Sequence, residues 1–285
     1  MKTLALLLCL LACGATPPLA QDTRPANKRA ARTYLGFDRN VYPGDANLPL
    51  LRKTFWYAGY WLNNPPGEET NTWTGKRSLL QSAGFGFLVL FNGRTYAEIR
   101  KARAAELGRN DASAAAQAAG KEGFPPGTVI FLDQEEGGRL LPEQRAYLHA
   151  WVDRIHEAGF RAGIYCSGMA AREGRRKKVV TARDVRQNAA GREIVYWVSN
   201  DACGPSPGCF FPQNPPPPGA SGVPFASVWQ FAQSPRRKAL TASCARSYHQ
   251  DGHCYPPGFG PAQRLHVDLN TAMLSDPSHG RTLTK

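Results

Sequence analysis

The chain alternates short apolar runs with polar or helix-forming segments over most of its length. Eight of these runs have the length and composition of β-strands, and they lie at residues 33–37, 55–62, 85–91, 129–132, 161–167, 193–199, 225–232 and 265–269. The run at 129–132, VIFL, lacks the alternation of a half-exposed strand. It therefore indicates a strand that is buried on both faces, as in a parallel sheet.

Helix-forming segments follow most of the early strands. They are predicted at 48–53, 73–83 and 96–119, between Pro142 and Gly159, and at 181–190. We expect Gly108 and Asn110 to split the alanine-rich helix at 96–119. After the strand at 193–199 the connections are instead long and rich in proline and glycine.

This order of elements predicts an α/β fold, namely a (β/α)8 TIM barrel over residues 33–280 whose late helices are degraded into loops. If the sheet closes, the first and last strands become neighbours. A doubly wound open sheet is the alternative. It fits less well because no glycine-rich phosphate turn follows the first strand.

The first 20 residues combine one lysine, a leucine-rich stretch and small residues, which is typical of a secretory signal peptide. Cleavage after Ala20 predicts a secreted or periplasmic protein. The stretch Leu10 to Gly14 also resembles a lipobox, in which a lipidated Cys13 would anchor the mature chain to a membrane. Residues 21–32 are polar and basic and are interpreted as a linker.

The formal net charge of +13 changes the expected partners. An exported protein this basic is attracted to anionic wall polymers or to a membrane surface. The densest basic run, Arg172 to Lys178, has no interleaved aromatic residues that could stack on bases. We therefore interpret it as a solvated loop and expect no nucleic-acid partner. We expect the protein to be a monomer.

Five of the seven cysteines lie outside the predicted signal peptide. Cys203 and Cys209 bracket a short Gly/Pro loop, and Cys244 and Cys254 bracket a polar one, so each pair is predicted to form a local disulfide. Cys166 lies in an apolar strand and is expected to be a buried free thiol.

Carboxylates gather at the predicted strand ends. Asp133 and Glu135 follow the buried run at 129–132 and share a face, roughly 6 to 7 Å apart, while Gln134 and Glu136 point the other way. Asp38 ends the first strand and Asp268 ends the last one, with Asn270 on the face of Asp268. Closure of the barrel would bring the four acids to one pocket, where crowding raises their proton affinity and favours general acid catalysis.

Other polar and aromatic residues fall near strand ends and are candidates for contacting a sugar. These residues are Tyr165, Trp197, Trp229, Gln230 and Asn270. For each aromatic residue, a place in the barrel core is the competing interpretation.

Metal binding is the rival chemistry. His249, His253 and Cys254 have ligand-like spacing, but Cys254 has a nearer use as a disulfide partner. His266 shares a face with Asp268 and is expected to lie one step deeper in the barrel, where it would orient a neighbour. We therefore expect no metal and no cofactor.

Six segments in order, TYLGFD, VIFLDQEE, GIYCSG, VYWVSND, SVWQFA and LHVDLN, resemble a secreted glycoside-hydrolase-like barrel family of unknown function, which is similar to the family-25 lysozymes. The resemblance spans about residues 33–275 and implies a TIM barrel. It implies Glu135 as the general acid, Asp133 as a group that stabilises developing charge or orients the substrate, and Asp38 and Asp268 as cleft residues. The long insertion after Asp201 and the disulfide loops depart from that family and leave the substrate open.

Two functions follow as hypotheses. The first is an exported glycoside hydrolase that acts on cell-wall or envelope polysaccharide. The second is a catalytically silent carbohydrate-binding barrel of the cell envelope. Both use the aromatic residues, but only the enzyme requires Glu135 as an acid.

Overall fold

The computed structural model describes residues 32–101 and 103–282. Eight strands of this part of the chain form a closed barrel. Their bounds are Tyr34–Asp38 (β1), Tyr57–Trp61 (β2), Gly86–Asn92 (β3), Val129–Asp133 (β4), Arg161–Ser167 (β5), Val195–Ser199 (β8), Val228–Ala232 (β9) and Asp268–Ala272 (β10). The labels β6 and β7 belong to a separate hairpin between β5 and β8. Around the barrel the strands follow the order β1, β10, β9, β8, β5, β4, β3, β2. The prediction of an α/β barrel is confirmed.

The direction of the last strand departs from a regular (β/α)8 barrel. The seven strands β1, β2, β3, β4, β5, β8 and β9 run parallel to one another around the barrel, whereas β10 is antiparallel to both of its neighbours, β1 and β9. This strand was predicted at 265–269, but it spans Asp268–Ala272, so its predicted placement was wrong. The first and last strands are neighbours, as expected, and Asp38 pairs with Asp268.

Helices cover the early part of the barrel. They are Leu48–Arg52 (α1), Arg77–Ser82 (α2), Tyr96–Ile99 (α3), Ala104–Glu122 (α4), Pro142–Glu157 (α5) and Thr181–Gln187 (α6). After β8 the described chain forms only short 3-10 helices, at Pro218–Ser221, Ala242–Ser247 and Pro261–Gln263. The degraded late helices that the sequence predicted are therefore present as loops.

The alanine-rich helix is interrupted at a different place from the one predicted. The break falls between Ile99 and Ala104, and α4 continues unbroken through Gly108 and Asn110. A Cβ atom on Gly108 would lie 2.2 Å from the Tyr147 carbonyl oxygen of α5. The glycine thus allows the close packing of α4 on α5, and this tertiary contact outweighs its low helix propensity.

The basic run that was interpreted as a loop forms a two-stranded antiparallel hairpin. Its strands are Ala170–Glu173 (β6) and Lys177–Val180 (β7), and they form a sheet separate from the barrel. Gly174 begins the connecting turn with a φ of 67°, a backbone conformation that glycine adopts without strain.

The cysteine pairing differs from the prediction. Cys203 is bonded to Cys244 and Cys209 to Cys254, so the expected local pairs do not form. The two bonds instead join the loop after β8 to the loop after β9 at the rim. Cys166 is buried and free, as expected.

The predicted signal peptide, Cys13 and nearly all of the predicted linker lie outside the described residues. Within residues 32–101 and 103–282, none of the helices has the length and apolar character needed to cross a bilayer.

Candidate active site

The four acids lie at one end of the barrel, although they come from strands that run in opposite directions. Asp38 and Asp133 are the last residues of the parallel strands β1 and β4. Asp268 is the first residue of β10, and because this strand runs in the opposite direction its beginning lies at the same end. Glu135 follows two residues after Asp133. We call this end of the barrel, where parallel strands finish, the mouth.

Asp38 is buried, with 6% of its surface exposed, and is held by two amide side chains. Asn270 Nδ2 donates to its Oδ1 over 2.6 Å, and Gln230 Nε2 donates to both oxygens over 3.1 and 3.3 Å. Burial raises the pKa of Asp38 to about 6, against the opposing effect of these hydrogen bonds, and the negative charge of Glu135 adds to the rise.

Asp268 is partly buried and shares a donor with Asp38. Gln230 Nε2 lies 3.1 Å from its Oδ2, and the backbone N–H of Ser234 donates to its Oδ1 over 2.7 Å. Burial, and then the nearby charge of Asp38, raise the pKa of Asp268 well above its usual range. The side chain of Gln230 therefore bridges two acids that oppose each other's ionisation.

Asp133 is buried but has a free oxygen. Only 7% of its surface is exposed, and its Oδ1 has no hydrogen-bond partner among the described residues. Burial raises its pKa well above the usual range, and the charges of Glu135 and Asp38 act in the same direction. An unpaired buried polar atom costs about 1 to 3 kcal/mol, which a ligand that contacts this oxygen would recover.

Glu135 is exposed and separates two clefts. One cleft, of about 500 Å³, is lined by Glu135 together with Tyr165, Ser199, Gln233 and the first residues of β6. We call it the hairpin-side cleft. The other, of about 310 Å³, is lined by Glu135, Asp133 and residues that lead into α3, and we call it the helix-side cleft. Among the four acids, Glu135 is the one that lines both.

Glu136 points away from the barrel interior, as predicted from strand alternation, but it has partners. Its Oε2 accepts hydrogen bonds from the Tyr96 backbone N–H over 2.8 Å and from Gln144 Nε2 over 2.7 Å. These bonds fix the loop that carries Glu135 to the starts of α3 and α5.

Tyr165 and Gln230 lie at the mouth. The hydroxyl of Tyr165 donates to Gln230 Oε1 over 2.7 Å, and Tyr165 also lines the hairpin-side cleft. Asn270 lies beneath them, where it accepts a 3.0 Å hydrogen bond from Trp197 Nε1 and donates to Asp38. Gln230 and Asn270 are both buried, so they hold the acids in place from below.

The two tryptophans named from the sequence are buried and present no open face to a sugar. Trp197 packs inside the barrel against Tyr165, with ring centroids 4.4 Å apart. Trp229 is next to the inward-facing Gln230 and therefore points out of the barrel, where its indole donates to the Asn200 carbonyl oxygen. The expectation that these two rings line a binding surface is corrected to a core role for both.

Three contributors to the site were missed in the sequence, two of them beside β9. Gln233 Nε2 donates to Gln230 Oε1 over 3.0 Å, and the Ser234 backbone N–H binds Asp268. Gln233 and Ser234 follow directly after β9. Polar residues at strand ends were the signal that identified the other candidates, and the same signal could have found these two. Arg237, which pairs with Asp201, also lines the hairpin-side cleft.

The histidine-rich loop does not assemble the ligand set considered above. Cys254 is bonded to Cys209, which removes it as a thiolate ligand. Within the described residues no group of three His, Cys, Asp or Glu side chains is placed to hold a metal ion. His266 precedes the start of an antiparallel strand, so it lies at the rim, stacked on His253 with centroids 4.1 Å apart, and not deeper in the barrel as expected.

A larger cavity, of about 700 Å³, lies at the opposite end of the barrel, near Arg161 and Val195, where β5 and β8 begin. Barrels of this kind carry their active sites at the carboxyl ends of the strands. We therefore place the candidate site at the mouth, where the acids converge.

Two solved structures with TM-scores of 0.50 or above agree with this fold. A protein of B. stearothermophilus described as uncharacterized is 19% identical and has a TM-score of 0.55 over 85% of this chain and 98% of its own. The spore cortex lytic enzyme SleM of Clostridium perfringens is 15% identical, with a TM-score of 0.50 over 84% of this chain and 67% of its own. The Tat-secreted protein Rv2525c of Mycobacterium tuberculosis is 15% identical, with a TM-score of 0.49 over 88% and 98%.

Sequence comparisons give the family. A search of curated proteins found no match. The sequence profile of the Rv2525c-like glycoside hydrolase-like domain matches residues 59–213, which is just over half of the chain and includes Asp133 and Glu135. The chain therefore belongs to the Rv2525c-like family of glycoside hydrolase-like domains.

Proposed function

We propose that the protein is an exported glycoside hydrolase that cleaves a cell-wall or envelope polysaccharide by carboxylate general acid catalysis. The position of Glu135 between the two clefts carries this proposal. A glycan chain that occupied both clefts would pass over Glu135 with sugar units on either side, as cleavage within a polymer requires. Membership of a glycoside hydrolase-like family is consistent with this reaction.

In this mechanism Glu135 donates a proton to the glycosidic oxygen, as general acids do in glycoside hydrolysis. Asp133 contacts the sugar on the helix-side cleft through its Oδ1, which has no partner among the described residues, and thereby orients the substrate. Asp38 accepts hydrogen bonds from Gln230 and Asn270, and Asp268 accepts one from Gln230. We therefore assign these two acids a supporting role, in which they maintain the structure of the site and contribute to its electrostatic potential.

Export is the part of the proposal that concerns location. The two disulfides support it, because such bonds persist in oxidising compartments outside the cytoplasm. The signal-like first 20 residues support it independently. The intact mass of the protein from medium and membrane fractions gives the mature N-terminus and distinguishes cleavage after Ala20 from lipidation at Cys13.

The catalytically silent binding barrel is the second candidate. The observation in its favour is that Asp38 and Asp268 are both engaged in hydrogen bonds within the protein. Measurement of reducing ends released from peptidoglycan, chitin-type polymers and α-glucans separates the two functions. We expect release from one class of polymer; binding to a polymer without any release would favour the silent barrel.

A further inference from the structure

The hairpin β6–β7 lies at the edge of the candidate site. Ala170 and Ala171, which begin β6, line the hairpin-side cleft together with Glu135. Arg139, four residues after Glu135, pairs with Glu173 of the hairpin over 2.6 Å and with Asp184 of α6 over 2.8 Å. The hairpin is thus fastened to the loop that carries the proposed acid.

The hairpin carries a strong excess of positive charge. Five of the seven residues from Arg172 to Lys178 are basic and one is acidic. All five basic side chains are exposed, and none of them forms an ion pair with an acidic side chain in the described part of the chain.

The register of the hairpin separates this charge onto its two faces. Glu173 lies opposite Lys177, so that face carries complementary charges and the ion pair with Arg139. Arg172 lies opposite Lys178 on the other face. Like charges directly across two strands repel each other, and this repulsion is relieved when an anion binds between them.

We propose that this second face of the hairpin binds the carboxylate or phosphate groups of an acidic polysaccharide that enters the hairpin-side cleft. The inference rests on the proposed function and names the class of its substrate as an anionic glycan. Arg172 and Lys178 supply the central contact, and Arg175 and Arg176 extend it at the turn.

The acids of the mouth do not oppose such a substrate as strongly as their number suggests. Burial, together with the charges of neighbouring acids, raises the pKa values of Asp38, Asp133 and Asp268, which disfavours the charged form of each. A glycan also fits the location better than a nucleic acid, because no aromatic residue lies among the cations of the hairpin.

The test compares two polymers that share a backbone of β-linked N-acetylglucosamine, namely carboxymethyl-chitin, which is anionic, and glycol chitin, which is neutral. The Arg172→Gln/Lys178→Gln variant removes the opposed pair. The matched control, Arg109→Gln/Lys121→Gln, removes two exposed cations from α4. Affinity, reducing-end release and thermal unfolding are measured for the full chain and both variants at low and high salt.

We expect the hairpin variant to lose about fivefold in affinity for carboxymethyl-chitin at low salt, with glycol chitin unaffected and the control unchanged. The loss should shrink at high salt, because exposed charges are screened. The thermal unfolding temperature should not fall, since a repulsive pair has been removed.

Equal binding of both polymers by the wild-type protein, or unchanged binding of the acidic polymer by the hairpin variant, would overturn the inference even if hydrolysis is observed. Hairpin-dependent binding of carboxymethyl-chitin, without reducing ends released from any polymer of the screen, would instead support the inference and refute the hydrolase. A parallel arm uses vesicles with and without phosphatidylglycerol. Hairpin-dependent binding to the anionic vesicles but not to the acidic polymer would assign the surface to lipid headgroups and overturn the proposal.

Discussion

Gln230 has the largest influence on how the acids at the mouth are arranged. Its amide nitrogen donates to Asp38 and Asp268, and its oxygen accepts from Tyr165 and Gln233. All four of its partners come from strand ends or from residues that adjoin them. In contrast, Asp133 has a buried oxygen without a partner among the described residues, so its charge state should affect stability.

We predict that Asp133→Asn stabilises the protein at neutral pH. The folded-state pKa of Asp133 is raised above its ordinary value of 3.8, so the wild-type fold is favoured below about pH 4 and loses this advantage as the pH rises. Asparagine has nearly the same shape and carries no charge at any of these pH values. The free energy of unfolding, measured by urea denaturation from pH 4 to pH 8, should therefore diverge in favour of the variant as the pH increases.

The exposed Glu193, at the opposite end of the barrel, provides the control for this measurement. Glu193→Gln should follow the wild-type curve throughout. Parallel curves for wild type and Asp133→Asn across the whole range would show that Asp133 titrates as it does in the unfolded chain.

At the scale of the elements, strand positions were predictable and strand direction was not. Apolar runs located seven of the eight barrel strands closely, because burial on both faces leaves a clear signal. The final strand was misplaced, since hydrophobicity does not reveal that the long loop before it reverses the chain. Asp268 still reached the mouth, because its strand both starts later and runs backwards.

Gly108 shows how a tertiary contact can reverse a local preference. We predict that Gly108→Ala destabilises the protein by more than about 1 kcal/mol, although alanine is the better helix former, because the added Cβ would overlap the Tyr147 carbonyl oxygen. Gly120 of the same helix is exposed, and no atom lies within 4 Å of the place that a Cβ would occupy there. Gly120→Ala should therefore stabilise by about 0.5 to 1 kcal/mol.

Thermal or urea unfolding of the two single variants makes the comparison. The same sign for both substitutions would mean that α4 can shift away from α5 at little cost, and the packing explanation for Gly108 would fail.

At the scale of the whole molecule, two disulfides join the long loops after β8 and β9 across the rim. They span 41 and 45 residues along the chain, much more than the local pairs that the spacing of the cysteines predicted. Sequence proximity could not reveal this pairing, because it depends on how the two loops fold over each other. Loops of this length lead us to expect about 4 kcal/mol of stabilisation from each bond in the chain-entropy account.

Peptide mapping without reduction tests the pairing. Trypsin would place Cys203 and Cys209 together in residues 193–236, Cys244 in 239–246 and Cys254 in 247–264. We predict one species in which all three peptides are joined. A free 193–236 peptide with an internal disulfide, alongside a linked pair of the other two, would contradict the structure. Reduction should also lower the unfolding temperature markedly.

The central claim is that Glu135 donates the proton that cleaves a glycan, and one measurement tests it most directly. Glu135→Gln keeps the shape of the side chain but removes its acid, so turnover on the polymer identified by the reducing-end screen should fall by about two to four orders of magnitude while binding persists. Glu193→Gln, an equal change at the far end of the barrel, should retain wild-type turnover. Full activity in Glu135→Gln would contradict the assignment of the acid.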